Sequence, residues 1–422
     1  MLPAAKQGLP LHVCLLVLSL ACSTSGGNRE SRTNSEFVAL VGGTVYPSPD
    51  VSPIKDGVVL VRAGSITAVG RRAELAIPQG ASLLDCSGAT ALAGFWNSHV
   101  HFTEPHWAGA DTLPAAILSE QLRTMFGRYG FVRVFDTGSW LENTLALRRR
   151  VESGEVVGPA ILSTGPGFAA EGASPFYIRP ARLPELRTPG DARVAVAARL
   201  AEGADAIKLF TASFASPTSI IPLPLPVIRA AAAEAHRQGR PVFAHPSNNA
   251  GLWGALEGGV DILAHTSPDG GPWSSEIAAA MVRANMALIP TLKLWKFELV
   301  RRGRDSAPIA RFQGVAEEQL RAFVTAGGEV LFGTDVGYMS DYDPTDEFLA
   351  MHRAGMSFEQ ILRALTTAPA ARFVPSAKHL ARVEVGAQAD LVVVEGDPAQ
   401  DIRALGRVRY AVRQGRVLYS AK

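Results

Sequence analysis

Between residues 93 and 375 short apolar runs recur along the chain, each closing on Gly, Thr, Asp or His. Eight stand out: "TALAGFWNSHVH", "FVRVFDTG", "PAILSTGPG", "AIKLFT", "PVFAHPS", "DILAHTS", "MALIPTL" and "VLFGTDVG". Runs of this length bounded by turn residues read as buried strands. Alanine-rich stretches lie between them, among them "PAAILSEQLRTMF", "DARVAVAARLAE", "LPVIRAAAAEAHRQG" and "EEQLRAFVTAG", and these read as helices. Strands alternating with helices predict an α/β fold, a parallel (β/α)8 barrel of the TIM type, and the span is close to the ~250 residues such barrels use.

The two ends carry a different pattern. "FVALVGGTVY", "GVVLVRAGSITAVG" and "SLLDC" near the start, and "ADLVVVEGD" and "RVRYAVRQGRVLYS" near the end, are β-rich runs broken by Gly, Pro and Asp. Neither end alone has enough strands for a stable core. They are expected to pair into one small β-sandwich domain, residues 37–92 with 376–422, beside a catalytic barrel at 93–375.

Ahead of both stands "MLPAAKQGLPLHVCLLVLSLACSTSGG", with one lysine, an apolar run from Leu11 to Ala21 and then small polar residues. The run is short for a stable membrane span and fits the core of a signal peptide, so residues 1–22 read as a leader. Two exits stay open. Ser19 and Ala21 satisfy a small-x-small cleavage site, and "LSLAC" resembles a lipobox that would acylate Cys22, although Ser19 stands where leucine is usual. The lipoprotein reading is preferred. Either predicts export, to the periplasm or to a membrane surface through Cys22, with residues 23–36 as a flexible tether. Of the three cysteines only Cys86 lies in the folded body, so no disulfide forms there, and Cys86 reads as a small buried residue.

Composition narrows the partners. The 422 residues are 47% apolar and 19% charged with a formal charge of +2. That suits a large interior and offers no basic field for nucleic acid. The basic run "LRRR" (147–150) and Arg301, Arg302 and Arg304 read as solvated helix faces. Membrane contact is expected only through the N-terminal anchor.

Candidate chemistry sits at the strand ends, where such barrels place their active sites. His99 and His101 in "NSHVHF" are two apart, which in a strand turns both to one side. His245, His265 and Asp335 close the fifth, sixth and eighth runs. Lys208 lies inside the apolar "AIKLF", where an ammonium is costly to bury unless it is paired or changed. Neutral imidazole and carboxylate are the ligands of zinc-type ions at ~2.0–2.2 Å.

This set resembles the amidohydrolase superfamily of metal-dependent hydrolases, through "AGFWNSHVH", Lys208 in "GADAIKLF", His245, His265 and Asp335 in "GTD", with "VGGTVY" and "GAQADLVVVEGDP" at the ends. Within it, "GADAIKLF", "EAHRQGRPVFAH" and "GPAILSTGPG" are most similar to the imidazolonepropionase-related branch that includes Xaa-Pro dipeptidases. The resemblance implies two divalent ions, with zinc expected. His99, His101 and Asp335 would hold one and His245 and His265 the other. Lys208, converted by carbon dioxide to a carbamate, would bridge both. It implies cleavage of an amide or peptide C–N bond by a metal-bridging hydroxide, with Asp335 as the catalytic proton carrier. Lactone or phosphotriester hydrolysis at the same centre, a mononuclear cyclic-amide hydrolase or deaminase, and a non-catalytic surface lipoprotein remain as alternatives. Members of the superfamily often assemble, so a homo-oligomer is open.

The loops after the strands should read the substrate. His106 in "TEPHW", Tyr177 and Arg179 in "FAAEGASPFYIRP" and Lys293 in "TLKLWKFELVRR" are the candidates, a cation there suiting a carboxylate-bearing small molecule such as an acylated amino acid or dipeptide. The stretch "SFASPTSIIPLPLP" is apolar where dipeptidases tend to carry polar residues and a tyrosine, and Ala264 precedes His265 where the branch often has glutamate. An apolar loop here favours a substrate with a hydrophobic part.

Overall fold

In the computed structural model, which describes residues 37–421 except Lys378, strands from both chain ends hydrogen-bond into one eight-stranded sheet. The leader, Cys22 and the tether lie outside the described residues. Val38–Val45, Ile54–Arg62, Ser65–Arg71, Ser82–Asp85 and Ala89–Ala93 come from the start, and Leu391–Glu395, Val408–Arg413 and Arg416–Ser420 from the end. The join is the antiparallel ladder between Ala89–Ala93 and Leu391–Glu395, with Val392 opposite Leu92. One apolar cluster on this sheet gathers Leu40, Val59, Ala91, Leu391 and Val393, and another gathers Ala39, Val41, Val58 and Leu60, so alternate residues of one strand serve different clusters. Cys86 is buried and unpaired, and burial pushes its thiol up to about 11.

The first apolar run divides into two strands. Ala89–Ala93 joins the end sheet, and Phe95–Val100 begins the middle of the chain. Gly94 marks the break, because a Cβ there would stand 2.3 Å from Val132 Cγ2. Phe95–Val100, Phe131–Asp136 and Ala160–Ser163 form a three-stranded parallel sheet, and Ile207–Phe210, Val242–His245, Ile262–Ala264 and Ala287–Ile289 a four-stranded one. The eighth run is not a ladder strand. Residues 330–336 are held by isolated parallel bridges, Leu288 to Val330 and Val100 to Val336, and a third bridge, Phe168 to Leu209, ties the segment after Ala160–Ser163 to the four-stranded sheet. Regular pairing stops there because Gly333 packs against Ile289 and His99, where a Cβ would meet them at 2.4 and 2.8 Å, and because Asp335 turns left-handed at φ +65°.

Helices cross between the strands, including Ala115–Met125, Pro189–Ala201, Leu225–Arg237, Leu292–Arg301 and Ser306–Thr325. Buried faces such as Val227, Ile228, Ala231 and Ala235 pack them into the largest apolar cluster. A smaller cluster takes Phe135, Phe243, Ile262, Ala287, Ile289 and Leu331 from five of the parallel segments. Phe373 of the last helix packs against it, 4.7 Å from the Phe135 ring. Aromatic packing thus fills one region between the strands, and polar side chains occupy their C-terminal ends. Among the described residues no helix is long and apolar enough to cross a membrane.

Candidate metal centre

The strand Phe95–Val100 and the segment 330–336 are knitted by backbone bonds, Ser98 N to Phe332 O at 2.7 Å, Asp335 N to His99 O at 2.9 Å and His101 N to Val336 O at 2.8 Å. Asn97 strengthens the join. Its Nδ2 donates to Thr334 Oγ1 at 2.7 Å, and its Oδ1 accepts from the amides of His99 and Thr334. The result is that His99, His101 and Asp335 share one space. Oδ1 of Asp335 lies 2.8 Å from His101 Nε2 and 3.4 Å from His99 Nε2.

The four-stranded sheet supplies the other half. Lys208 is buried on Ile207–Phe210, His245 closes Val242–His245 with its ring stacked on Phe210, and His265 follows Ile262–Ala264 at φ +76°. The His265 ring centroid is 4.8 Å from both His99 and His245. His265 Nδ1 lies 2.6 Å from Thr291 Oγ1. The six side chains expected at the centre thus line one cavity of about 450 Å³.

Electrostatics follow from burial. Desolvation, with Lys208 nearby, holds His99 and His245 down at about 3, and desolvation with His99 and His245 nearby holds His265 well below its ordinary value. These imidazoles are therefore neutral at pH 7, the form that ligates. Burial pulls the Lys208 amine down to about 7. Burial alone would push Asp335 up, but the imidazoles of His99 and His101 beside it outweigh that and hold it ionised.

These donors suit a cation. His99 Nδ1 and Lys208 Nζ are buried without a partner, and Asp335 Oδ1 has only the two imidazole nitrogens, at 2.8 and 3.4 Å, beside it. Unpaired buried polar atoms are rare and need a reason. Ligand atoms ~2.1 Å from a tetrahedral ion stand ~3.4 Å apart, which is the His99–Asp335 separation. One ligand atom each from His99, His265 and Asp335 falls within 4.8 Å of the others, a group that draws on both expected ligand sets.

The loop candidates divide. Tyr177 lines the cavity, its ring 5.8 Å from Tyr338, and burial pushes its phenol up. The other three are corrected. Arg179 is turned away and donates to Ala215 O at 3.0 Å. His106 stands outside the cavity, against Trp107 and 3.7 Å from Glu104. Lys293 is buried, its ammonium 2.8 Å from Asp341 Oδ2 and bonded to the carbonyls of Asp341 and Asp343. Helix register explains the last case, since Trp295, Glu298 and Arg302 repeat at helical spacing and face the cavity, while Lys293 falls on the opposite side. Arg302 is thus not simply solvated. It donates to Glu298 at 3.0 Å, and Glu298 also accepts from Arg301 and from Tyr338 Oη.

Other contributors carried no sequence signal that was used. Trp140, Arg182 and Phe214 line the cavity, and the apolar stretch after Lys208 is a hairpin of Ala212–Ser216 with Ser219–Pro222 that presents Phe214. Glu298 and Arg302 could have been found by their helical spacing to Trp295, which "TLKLWKFELVRR" offers beside Lys293. Asn97 and Thr291 could not, because their partners lie in other segments.

Comparison with known proteins agrees with this geometry. The profile of the Amidohydrolase family matches residues 90–418. Ochratoxinase of Aspergillus niger is 22% identical over 418 residues, covering 88% of this chain and 84% of that protein. A prolidase complexed with N-methylphosphonate-L-proline superposes with a TM-score of 0.74 at 25% identity, covering 91% of this chain and 100% of the other. A Xaa-Pro dipeptidase with methionine bound in its active site gives a TM-score of 0.78 at 21% identity, covering 92% and 100%.

Proposed function

The chain belongs to the amidohydrolase family, and from that premise we propose that it is a metal-dependent hydrolase of amide or peptide C–N bonds in a small, partly apolar substrate. The observation that carries this reading is the buried, unpartnered Lys208 amine set among neutral histidines and the ionised Asp335. The pairings and bridges that run from Phe95–Val100 through Ala287–Ile289 to 330–336 and back support a (β/α)8 barrel at 93–375, with the composite sheet of 37–92 and 376–422 as a small sandwich domain.

In this reading His99, His101 and Asp335 would hold one divalent ion and His245 and His265 would hold a second, zinc being the expected metal. Bound there, the ions would polarise the scissile carbonyl and lower the pKa of the attacking water. Lys208 joins them as a carbamate. Its neutral amine nitrogen attacks carbon dioxide, a C–N bond forms as one C=O π bond opens onto oxygen, one proton leaves to solvent, and the buried amine becomes a carbamate anion that would serve as a further ligand. Burial favours this by holding the amine at about 7. Asp335, ionised and facing the cavity, takes the proton of the attacking water at its carboxylate and returns it to the departing nitrogen. Trp295, Phe210 and Phe214 exclude bulk water from the reacting atoms and pack the apolar part of the substrate. The similarity to a Xaa-Pro dipeptidase and to a prolidase complexed with N-methylphosphonate-L-proline supports dipeptides and acylated amino acids as the first class to assay.

The test is metal content per chain on protein produced with zinc and bicarbonate, before and after Lys208→Ala. Two equivalents are expected, falling to one with loss of most activity towards N-acyl amino acids. A folded protein that takes up no metal would overturn the reading.

A further inference from the structure

Thr291 is the N-cap of the helix Leu292–Arg301, yet its side chain makes no capping hydrogen bond. The first amides of that helix are satisfied from elsewhere. Buried Glu347 accepts from Leu292 N at 2.9 Å and from Lys293 N at 2.7 Å. The Thr291 hydroxyl is therefore released from the duty its position normally carries. It also sits at a cost, for φ is +45° and ψ +50°, a left-handed conformation that a β-branched residue rarely takes. Strain of this kind persists where surrounding structure enforces it, and it often accompanies function.

The released hydroxyl has two neighbours. Pro290 O lies 2.9 Å away, and His265 Nδ1 lies 2.6 Å away. A carbonyl can only accept, so the single hydroxyl hydrogen goes to Pro290 O. The oxygen then has only lone pairs to offer His265, and Nδ1 must carry the hydrogen between them. Were the hydroxyl to donate to Nδ1 instead, its oxygen would face the carbonyl at 2.9 Å with lone pair against lone pair. With Nδ1 protonated in a neutral ring, Nε2 is left bare.

We propose that Thr291 is a positioning residue that fixes His265 in the Nδ1–H tautomer and aims its bare Nε2 into the centre, with Glu347 doing the capping that leaves the hydroxyl free for this role. The inference rests on the metal-centre reading for its consequence, and on hydrogen-bond geometry alone for the tautomer. Outer partners of ligating histidines typically contribute about 10–100-fold in metal affinity.

Two variants separate positioning from structure. Thr291→Ser keeps the hydroxyl. Thr291→Gly removes it and relieves the left-handed strain. On metal-free protein, calorimetric zinc titration is expected to give near-normal affinity for T291S and a loss of about 10–100-fold for T291G, while the thermal midpoint of T291G holds or rises. A merely structural role would not separate the two variants in this way. Nitrogen-15 spectra of the histidine rings, assigned with His265→Ala, read the tautomer without metal, and Nδ1–H is expected in the wild type. An Nε2–H ring there, or equal zinc affinity in T291G and wild type, overturns the proposal. Wild type that binds no zinc but shows the Nδ1–H ring sinks the hydrolase reading and leaves the tautomer assignment standing.

Discussion

At the floor of the cavity His99, Lys208, His265 and Asp335 are buried and come from the ends of parallel segments, whereas Trp140, Arg182 and Arg302 at its rim are exposed and come from loops and a helix end. Floor residues are tied into neighbouring segments by backbone bonds, as Asp335 N to His99 O shows, and two of them, His99 at Nδ1 and Lys208 at Nζ, bury a side-chain nitrogen with no partner. Rim residues have the opposite character. Glu298 satisfies Arg301, Arg302 and Tyr338 at once, while Trp140 stands 62% exposed with no ring partner among the described residues. Reactivity is therefore built where the chain cannot move, and recognition where single residues can be exchanged without touching the ladder.

The sharpest way to break this contrast is Asp335→Asn. Asparagine tolerates left-handed φ, so the fold is expected to hold, while kcat falls by about 10³-fold or more as the carboxylate that carries the proton is lost. Kinetics at saturating zinc, with thermal melting as the control, check this. A loss below about tenfold would remove Asp335 from the chemistry.

Acid titration is the second test, in which the two floor histidines outweigh buried Glu347, whose carboxyl desolvation holds up at about 7 and which acts with the opposite sign. His99 and His245 bind protons near 3 when folded and near 6.5 when unfolded. Between those values the unfolded chain holds more protons, so stability of the metal-free protein rises with pH and is lost on acidification through this window. Each histidine contributes up to about 1.4 kcal/mol per pH unit. Denaturant melts at stepped pH read the slope, and a flat profile from pH 6.5 to 4 would contradict buried neutral imidazoles.

Trp140→Ala probes the rim and carries the smallest effect. KM for a substrate with an aromatic group is expected to rise about tenfold, with kcat and zinc content unchanged, since an aromatic contact is worth about 1 kcal/mol beyond its area. A change in zinc content would show that rim and floor are coupled.

Legibility in the sequence followed the same divide. His99, His101, Lys208, His245, His265 and Asp335 could be read because each interrupts or ends an apolar run, a local pattern that survives without knowledge of tertiary contacts. Residues 330–336 misled only in regularity, because the left-handed turn at Asp335 and the close approach at Gly333 depend on His99, far away in the chain. Lys293 was a sound choice by charge and a poor one by direction. Its register is set where Glu347 caps the helix, 55 residues on from Leu292. Asn97 and Thr291 were silent for the same reason, since their bonds are made across segments and nothing in the flanking residues announces them.

The composite sheet has a consequence for how the chain comes to be folded. Ala89–Ala93 lies between Val38–Val45, its early neighbour, and Leu391–Glu395, and Thr90 Oγ1 donates to Gly396 O across 306 positions of sequence. One edge of that strand therefore stays open until Leu391–Glu395 has been made, while the parallel segments between the two partners can already pair. Contacts of such separation form late and slowly. The clasp between the two ends thus closes after the parallel segments can pair, and until it does the open edge of Ala89–Ala93 is a template for pairing with another chain.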